Sequence, residues 1–272
     1  MVPLLENSLY EKQNENYKDI VKCAKEFCAI YCGRTILRDN IFNVIFNYAK
    51  KNNIDLELLR FPFSDKELWA FTYLKKGTIF VCINSELELC KQLFAAAHEL
   101  YHIYCYVEDV DQHIISEGSI IESETVDDMA DKQEDIEANA FAAYVLMPQE
   151  TLNEQIDIYE ISKDDIDINE VLMLMDMFAM PFKATVLRLY ECDIISKKTA
   201  EYLLGVENEE IIQKIELTGC AKRWQLSGKG MESLGSLVEN LEFNIENELL
   251  VDSREKSDKI CLQEIKKKLG LE

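Results

Sequence analysis

The chain has 272 residues, 51 acidic against 29 basic side chains, a formal net charge of −22 and 48% hydrophobic content. That is enough apolar material for one substantial core with an appendage, or for two small cores. The charge excludes a protein that grips nucleic acid or anionic membrane through its general surface, because both require positive potential, and it favours a basic protein partner. No run approaches membrane-spanning length, and residues 1–16 hold only a brief apolar stretch before charged and amide side chains. Neither a span nor a signal core is expected, and the expected location is cytoplasmic.

From Tyr17 to about Lys51 the spacing of Ile20, Cys23, Ala24, Phe27 and Ile30, then of Ile41, Val44, Ile45 and Tyr48, is helical, with Asp39-Asn40 as the N-cap between two helices. The nine cysteines include Cys23, Cys28 and Cys32 here, but none forms a CxxC pair and most lie in apolar segments. Reduced, packed thiols are the reading, and core packing outweighs a metal cluster at those three positions.

Between Leu56 and Ile83 the pattern changes to short aromatic and β-branched runs: Leu56 to Phe61, Trp69 to Leu74 and Thr78 to Ile83. They predict a small antiparallel sheet, its last two strands joined as a hairpin across Lys75-Lys76-Gly77. The run Ile79 to Ile83 is apolar on both faces and should be covered on both sides. Ser85 and Glu88 fit a capping box for a helix reaching about Tyr106. An acidic stretch, Glu117 to Glu134, reads as a surface loop before a helix from about Gln133 to Met147 that Pro148 ends. Helical segments follow at Ile168 to Phe178, Pro181 to Leu189 and Lys197 to Leu204, then charged helices at Met231 to Leu250 and Asp258 to Leu269. The division expected is a helical lead-in (1–53), a core with its following helices (54–205) and a helical C-terminal appendage (206–272).

The chemistry concentrates in His98-Glu99-Leu100-Tyr101-His102. Residues four apart on a helix stand one above the other, so the two imidazoles suit a single tetrahedral Zn²⁺. Glu99 then lies beside the metal, placed to take a proton from the attacking water and deliver it to the leaving amine. An accidental HExxH is the bland alternative; with three histidines in the chain, chance gives on the order of 0.01 per chain, and the flanking Ala95, Ala96, Ala97, Leu100 and Ile103 provide a helix that packs closely. A catalytic zinc needs a third protein ligand. The remaining histidine, His113, lies in the segment leaving the helix and reads as loop, so the ligand is expected to be a carboxylate on the later helix. There Asp135 and Asn139 form an i,i+4 pair, one fit to bind the metal and the other to orient an imidazole. Simple solvation accounts for most of the neighbouring carboxylates.

Ala97-His98-Glu99-Leu100-Tyr101-His102, with Ile83-Asn84 and Leu93-Phe94 before it and Glu137-Ala138-Asn139-Ala140-Phe141-Ala142-Ala143 closing on Leu146-Met147-Pro148 after it, resembles the ImmA/IrrE family of metallopeptidases. The resemblance spans roughly residues 40 to 195. It implies a gluzincin-like protease with zinc on His98, His102 and an acidic residue, Glu99 as general base, and a mainly helical α+β zincin-like core with a small antiparallel sheet. It also implies a phage or mobile-element setting, in which such proteins cleave or inactivate a helix-turn-helix repressor. Family members usually carry a Glu four residues before the Asn or Asp of the second motif. Here Asp135 stands in that place, so the register favours Asp135 as third ligand, with Glu137 or Glu134 as alternatives. Tyr101 falls where small residues are common in the family and would narrow the site. An oxyanion donor is required in principle; Tyr101, Tyr104 and Arg188 are candidates, each also explained by packing or a salt bridge.

Three functions compete. The first is a zinc-dependent, site-specific endopeptidase acting on a basic repressor. The second is a non-catalytic regulator or antitoxin-like binder with a structural metal. The third reads Val171 to Ile195 as a DNA-binding helix-turn-helix with its turn at Met180-Pro181, but Lys183 and Arg188 are its only cations. Lys222-Arg223-Trp224 and Lys266-Lys267-Lys268 read as solvated helix surface.

Overall fold

The helical spacing between Tyr17 and Lys51 is realised in the computed structural model, which describes residues 3–33, 36–65, 67–108, 119–122, 133–163, 166–226 and 232–269, with the main chain alone at 105–108, 119–122 and 268–269. Two short helices not expected from the sequence, α1 (Pro3–Glu6) and α2 (Leu9–Lys12), precede α3 (Asn14–Phe27), which runs on through a π-helical turn at Cys28–Cys32. Their buried Leu4, Leu5 and Leu9 explain why this polar segment folds back on the protein. Helix α4 (Ile41–Lys51) begins where expected, although Asn40 does not cap a main-chain N–H; its side chain accepts from Asn43 Nδ2 instead.

Strands β1 (Asp55–Phe61), β2 (Leu68–Lys75) and β3 (Thr78–Asn84) follow, and β4 (Ser119–Glu122) completes a sheet of order β1-β3-β2-β4. The β2–β3 hairpin turns on Lys76 and Gly77, both at positive φ (53° and 89°), as a twisted two-residue turn demands. The sheet is mixed rather than wholly antiparallel, because β1 runs parallel to β3. That position explains the apolar character of β3, which is a central strand with neighbours on both edges. Ile79, Val81 and Ile83 join the helical core, while Phe80 lies on the other face, stacked on Tyr73 and continuing through Phe71 and Phe63 to Phe61.

Helix α5 (Leu89–Glu108), which carries the HExxH motif, is one uninterrupted element. It starts later than the Ser85–Glu88 capping box implied, because Ser85 N–H extends the sheet by donating to Phe61 O. The buried Asn84 side chain holds the intervening turn, accepting from the N–H of Phe63 and of Glu86 and donating to Asp65 O and Leu68 O. Part of the acidic stretch read as loop is β4, which finds its partner on β2.

Helices α6 (Gln133–Leu146) and α7 (Gln149–Ile158) come next, separated at Pro148. Helices α8 (Ile168–Phe178, capped by Asp167 and Glu170), α9 (Phe182–Glu191) and α10 (Lys197–Leu204) match the expected segments. Helix α11 (Asn208–Thr218) was not foreseen; its Ile211 and Ile215, with Ala221 and Trp224, pack into the main core. Helices α12 (Leu237–Glu246) and α13 (Asp252–Leu269) are largely exposed. Among the described residues no helix is long and apolar enough to cross a membrane. The helix-turn-helix reading fails on burial. Phe182, Thr185, Val186, Arg188 and Leu189 of α9 face the interior, so the helix that would enter a DNA groove is part of the core.

Candidate metal centre

Small side chains bring α5 and α6 together. Ala95, Ala96 and Ala97 on α5 are fully buried, as are Ala138 and Ala142 on α6. Helix α6 is interior along almost its whole length, so Asp135 and Asn139 are polar groups in an apolar setting that need partners to be tolerated. They find them on α5.

His98 and His102 stand one turn apart, 0% and 3% exposed, with their Nε2 atoms 3.0 Å from each other. Asp135 Oδ1 lies 3.8 Å from His98 Nε2 and 3.9 Å from His102 Nε2. Behind the rings, His98 Nδ1 is 2.9 Å from Asn139 Oδ1, and His102 Nδ1 is 2.8 Å from Glu134 Oε1. Amide and carboxylate oxygens only accept, so each Nδ1 carries the proton and donates, and both Nε2 lone pairs point at one spot that Asp135 also faces. Three electron-rich atoms so placed repel one another unless a cation lies between them. Ligands at the usual 2.0–2.2 Å from one tetrahedral ion stand about 3.3–3.6 Å apart, and the three observed separations bracket that value. The residues present therefore fit a metal ion. Among the described residues, no other group of three His, Cys, Asp or Glu side chains meets this geometry, and Cys23, Cys28 and Cys32 do not form one.

Glu99 is fully buried beside His98. Its carboxylate lies within electrostatic reach of β3: burial, with a contribution from the negative charge of Glu99, pushes the Cys82 thiol up to about 12. Glu137, the alternative ligand, is directed elsewhere, accepting from Tyr101 Oη, Asn16 Nδ2 and Gln133 Nε2. Glu134, weighed only as a ligand from the sequence, instead backs His102. Its position immediately before Asp135 gave no hint of this, because adjacent helix residues point about 100° apart and the geometry of α5 decides which carboxylate meets which nitrogen. Tyr104 packs its ring on Phe27, Tyr48 and Phe141. Arg188 is engaged by Met147 O, Tyr17 Oη and Glu191. His113 lies outside the described residues.

A mainly helical α+β fold with HExxH on a central helix and a carboxylate brought to it from the next helix defines the zincin-like class of metal-dependent peptidases. The sequence model of the Peptidase_M78 family, described as the IrrE N-terminal-like domain, matches residues 51–190, slightly more than half of the chain. The chain belongs to this peptidase family, whose substrates in general are proteins. A search of curated proteins gives no match.

Proposed function

We propose that the protein is a zinc-dependent, site-specific endopeptidase, with Zn²⁺ held by His98, His102 and Asp135 and with Glu99 as general base. The observation that carries the reading is the pair of Nε2 atoms 3.0 Å apart, each ring fixed from its far side by an acceptor. Zinc held there supplies Lewis acidity, acidifying a water and polarising a carbonyl. Asn139 and Glu134 hold the imidazoles in the tautomer that leaves Nε2 free to ligate. Glu99, one residue from His98 on the same helix, accepts the proton of the attacking water and returns it to the departing amine. Its burial excludes bulk water from that transfer.

Residues 54–205 carry this chemistry in our reading, and the segments on either side support it. The substrate is a basic helix-turn-helix repressor, attracted by the net charge of −22, and the setting is cytoplasmic regulation of a phage or mobile element. One observation favours a non-catalytic regulator instead: Asp135 is shorter than the Glu usual in the family and stands farther from each imidazole than the imidazoles stand from each other.

Elemental analysis of the purified protein, beside cleavage of the repressor encoded nearest to it, separates the two. One equivalent of zinc, with cleavage reduced about 10²–10⁴-fold in Glu99→Gln while zinc is retained, is the expected result. A metal-free wild type, or cleavage indifferent to Glu99→Gln, would establish the binding protein.

A further inference from the structure

The metal centre depends on where the first turn of α6 sits, because that turn carries both Glu134 and Asp135. The buried side chains of α6 set its rotation coarsely, but about 100° of rotation separates neighbouring residues, so the aim of the first turn depends on the contacts made there. Glu137 supplies a polar contact of that kind. It is two residues, about 200°, beyond Asp135, and its half-buried carboxylate is shared among three helices. Oε2 accepts from Tyr101 Oη of α5 at 2.9 Å, and Oε1 accepts from Asn16 Nδ2 of α3 at 3.0 Å and from Gln133 Nε2 of its own helix at 2.9 Å. Gln13 and Gln133 exchange amide hydrogen bonds of 3.0 and 3.2 Å beside it. Tyr101 precedes His102 in sequence and sets its ring edge-on to that imidazole, with centroids 5.8 Å apart.

We infer that Glu137 is a positioning residue for the metal centre, and that α3, which lies before the family-matched residues 51–190, belongs to that centre through Asn16, with Gln13 at its N-cap beside it. Tyr101 ties Glu137 to the helix that bears the histidines. Asn16 ties it to the opposite flank of α6, so the rotation of α6 is set from both sides and Asp135 is held toward the Nε2 atoms. Tyr101, at a position where a small residue would leave Glu137 without this donor, orients the second helix rather than narrowing the site. Because the carboxylate takes hydrogen bonds from a phenol and two amides, an isosteric Gln cannot replace it fully: it keeps one acceptor oxygen and presents an NH₂ to donors.

The inference rests on the metal-site reading, and the test keeps the two apart. The full-length protein is titrated with Zn²⁺ against a competing chelator and with Co²⁺ followed by its visible absorption, for wild type, His98→Ala, Glu137→Ala, Glu137→Gln, Asn16→Ala and Tyr101→Phe; thermal unfolding of each metal-free form is run alongside. Glu137→Ala is expected to bind zinc about 10–100-fold more weakly with an altered cobalt spectrum, as for other residues that orient metal ligands, and Glu137→Gln to fall between it and wild type. Asn16→Ala and Tyr101→Phe should each give part of the loss, and neither should weaken binding further when combined with Glu137→Ala. Wild-type affinity and an unchanged cobalt spectrum in Glu137→Ala would overturn the inference. If Glu137→Ala fails to fold, Asn16→Ala decides: weaker zinc binding at unchanged metal-free stability supports the role, and unchanged binding overturns it. A wild type that binds no zinc, with His98→Ala indistinguishable from it, removes the metal-site reading itself.

Discussion

Two of the buried polar clusters among the described residues differ in how their charge is balanced. Around Arg188, a fully interior guanidinium on α9 donates from Nε to Met147 O at 3.0 Å and from Nη1 to Tyr17 Oη at 2.9 Å and Glu191 Oε2 at 3.3 Å, and lies 5.1 Å from the Tyr144 ring centre. Tyr17 Oη also donates to Glu191. Burial raises the Glu191 pKa while Arg188 opposes the rise. Cation and anion are both present, so the charge of the cluster is balanced within it. Around His98, His102 and Asp135, by contrast, acceptor atoms converge without such a cation among the described residues; α6 contains no Lys or Arg, and α5 contains none after Lys91. A self-balanced cluster ties α3, α9 and the end of α6 together. One with unbalanced lone pairs asks for something from outside the chain.

The largest expected effect separates the two directly. His98→Ala removes one of the converging donors and should take zinc from one equivalent to near none by elemental analysis, whereas Arg188→Met should leave it at one. If both variants lost the metal equally, the clusters would be one cooperative unit and the distinction would fall.

Stability provides the reverse test. Arg188→Met leaves the Glu191 carboxyl buried without its cation, the situation in which a broken interior ion pair costs about 3–5 kcal/mol. Urea unfolding should show that loss with the m-value unchanged. His98→Ala, measured without metal, should cost less or even stabilise, because it relieves two facing lone pairs. An Arg188→Met protein as stable as wild type would mean that the Arg188 cluster does not hold the fold, and its guanidinium would return as a candidate for the chemistry.

The sequence made the metal side of this comparison easier to read than the structural side. His98, Glu99 and His102 stand out by local helix geometry, and Asp135 and Asn139 as a pair at the same four-residue spacing on a second helix, with the choice of Asp135 as ligand coming from the family resemblance. The Arg188 cluster depends on contacts between residues 171 positions apart, such as Arg188 with Tyr17, which no periodicity encodes. Non-local pairing also explains the other differences. The parallel partnership of β1 with β3 and the pairing of β4 with β2 are choices of neighbour, and alternation along a strand cannot specify the neighbour. Helix α11 was within reach: Ile211 and Ile215 are four apart, and Gly219 ends the helix in the left-handed conformation at φ 70°. Its dense charge hid a short apolar stripe.

The smallest effect probes how closed the metal side is. Cys82 on β3 lies within electrostatic reach of Glu99, and its thiol is pushed up to about 12; Cys90, at the start of α5, is also raised to about 12 by burial. A thiol that titrates near 12 is about 10⁻⁴ ionised at pH 8, and the thiolate is the reactive form. With a small alkylating reagent at that pH, Cys261 on the exposed face of α13 should label quickly, while Cys82 and Cys90 stay unmodified in the native protein and react on unfolding. The sign follows from the direction of the shift: burial favours the neutral thiol, so protection persists through the neutral range and fails only as pH rises toward 12. Mass spectrometry of the labelled peptides reads the order of reaction. Rapid labelling of Cys82 at pH 8 would mean that the sheet beside Glu99 opens to solvent, and the water-excluding environment argued for Glu99 would then have to come from bound substrate instead of from the fold.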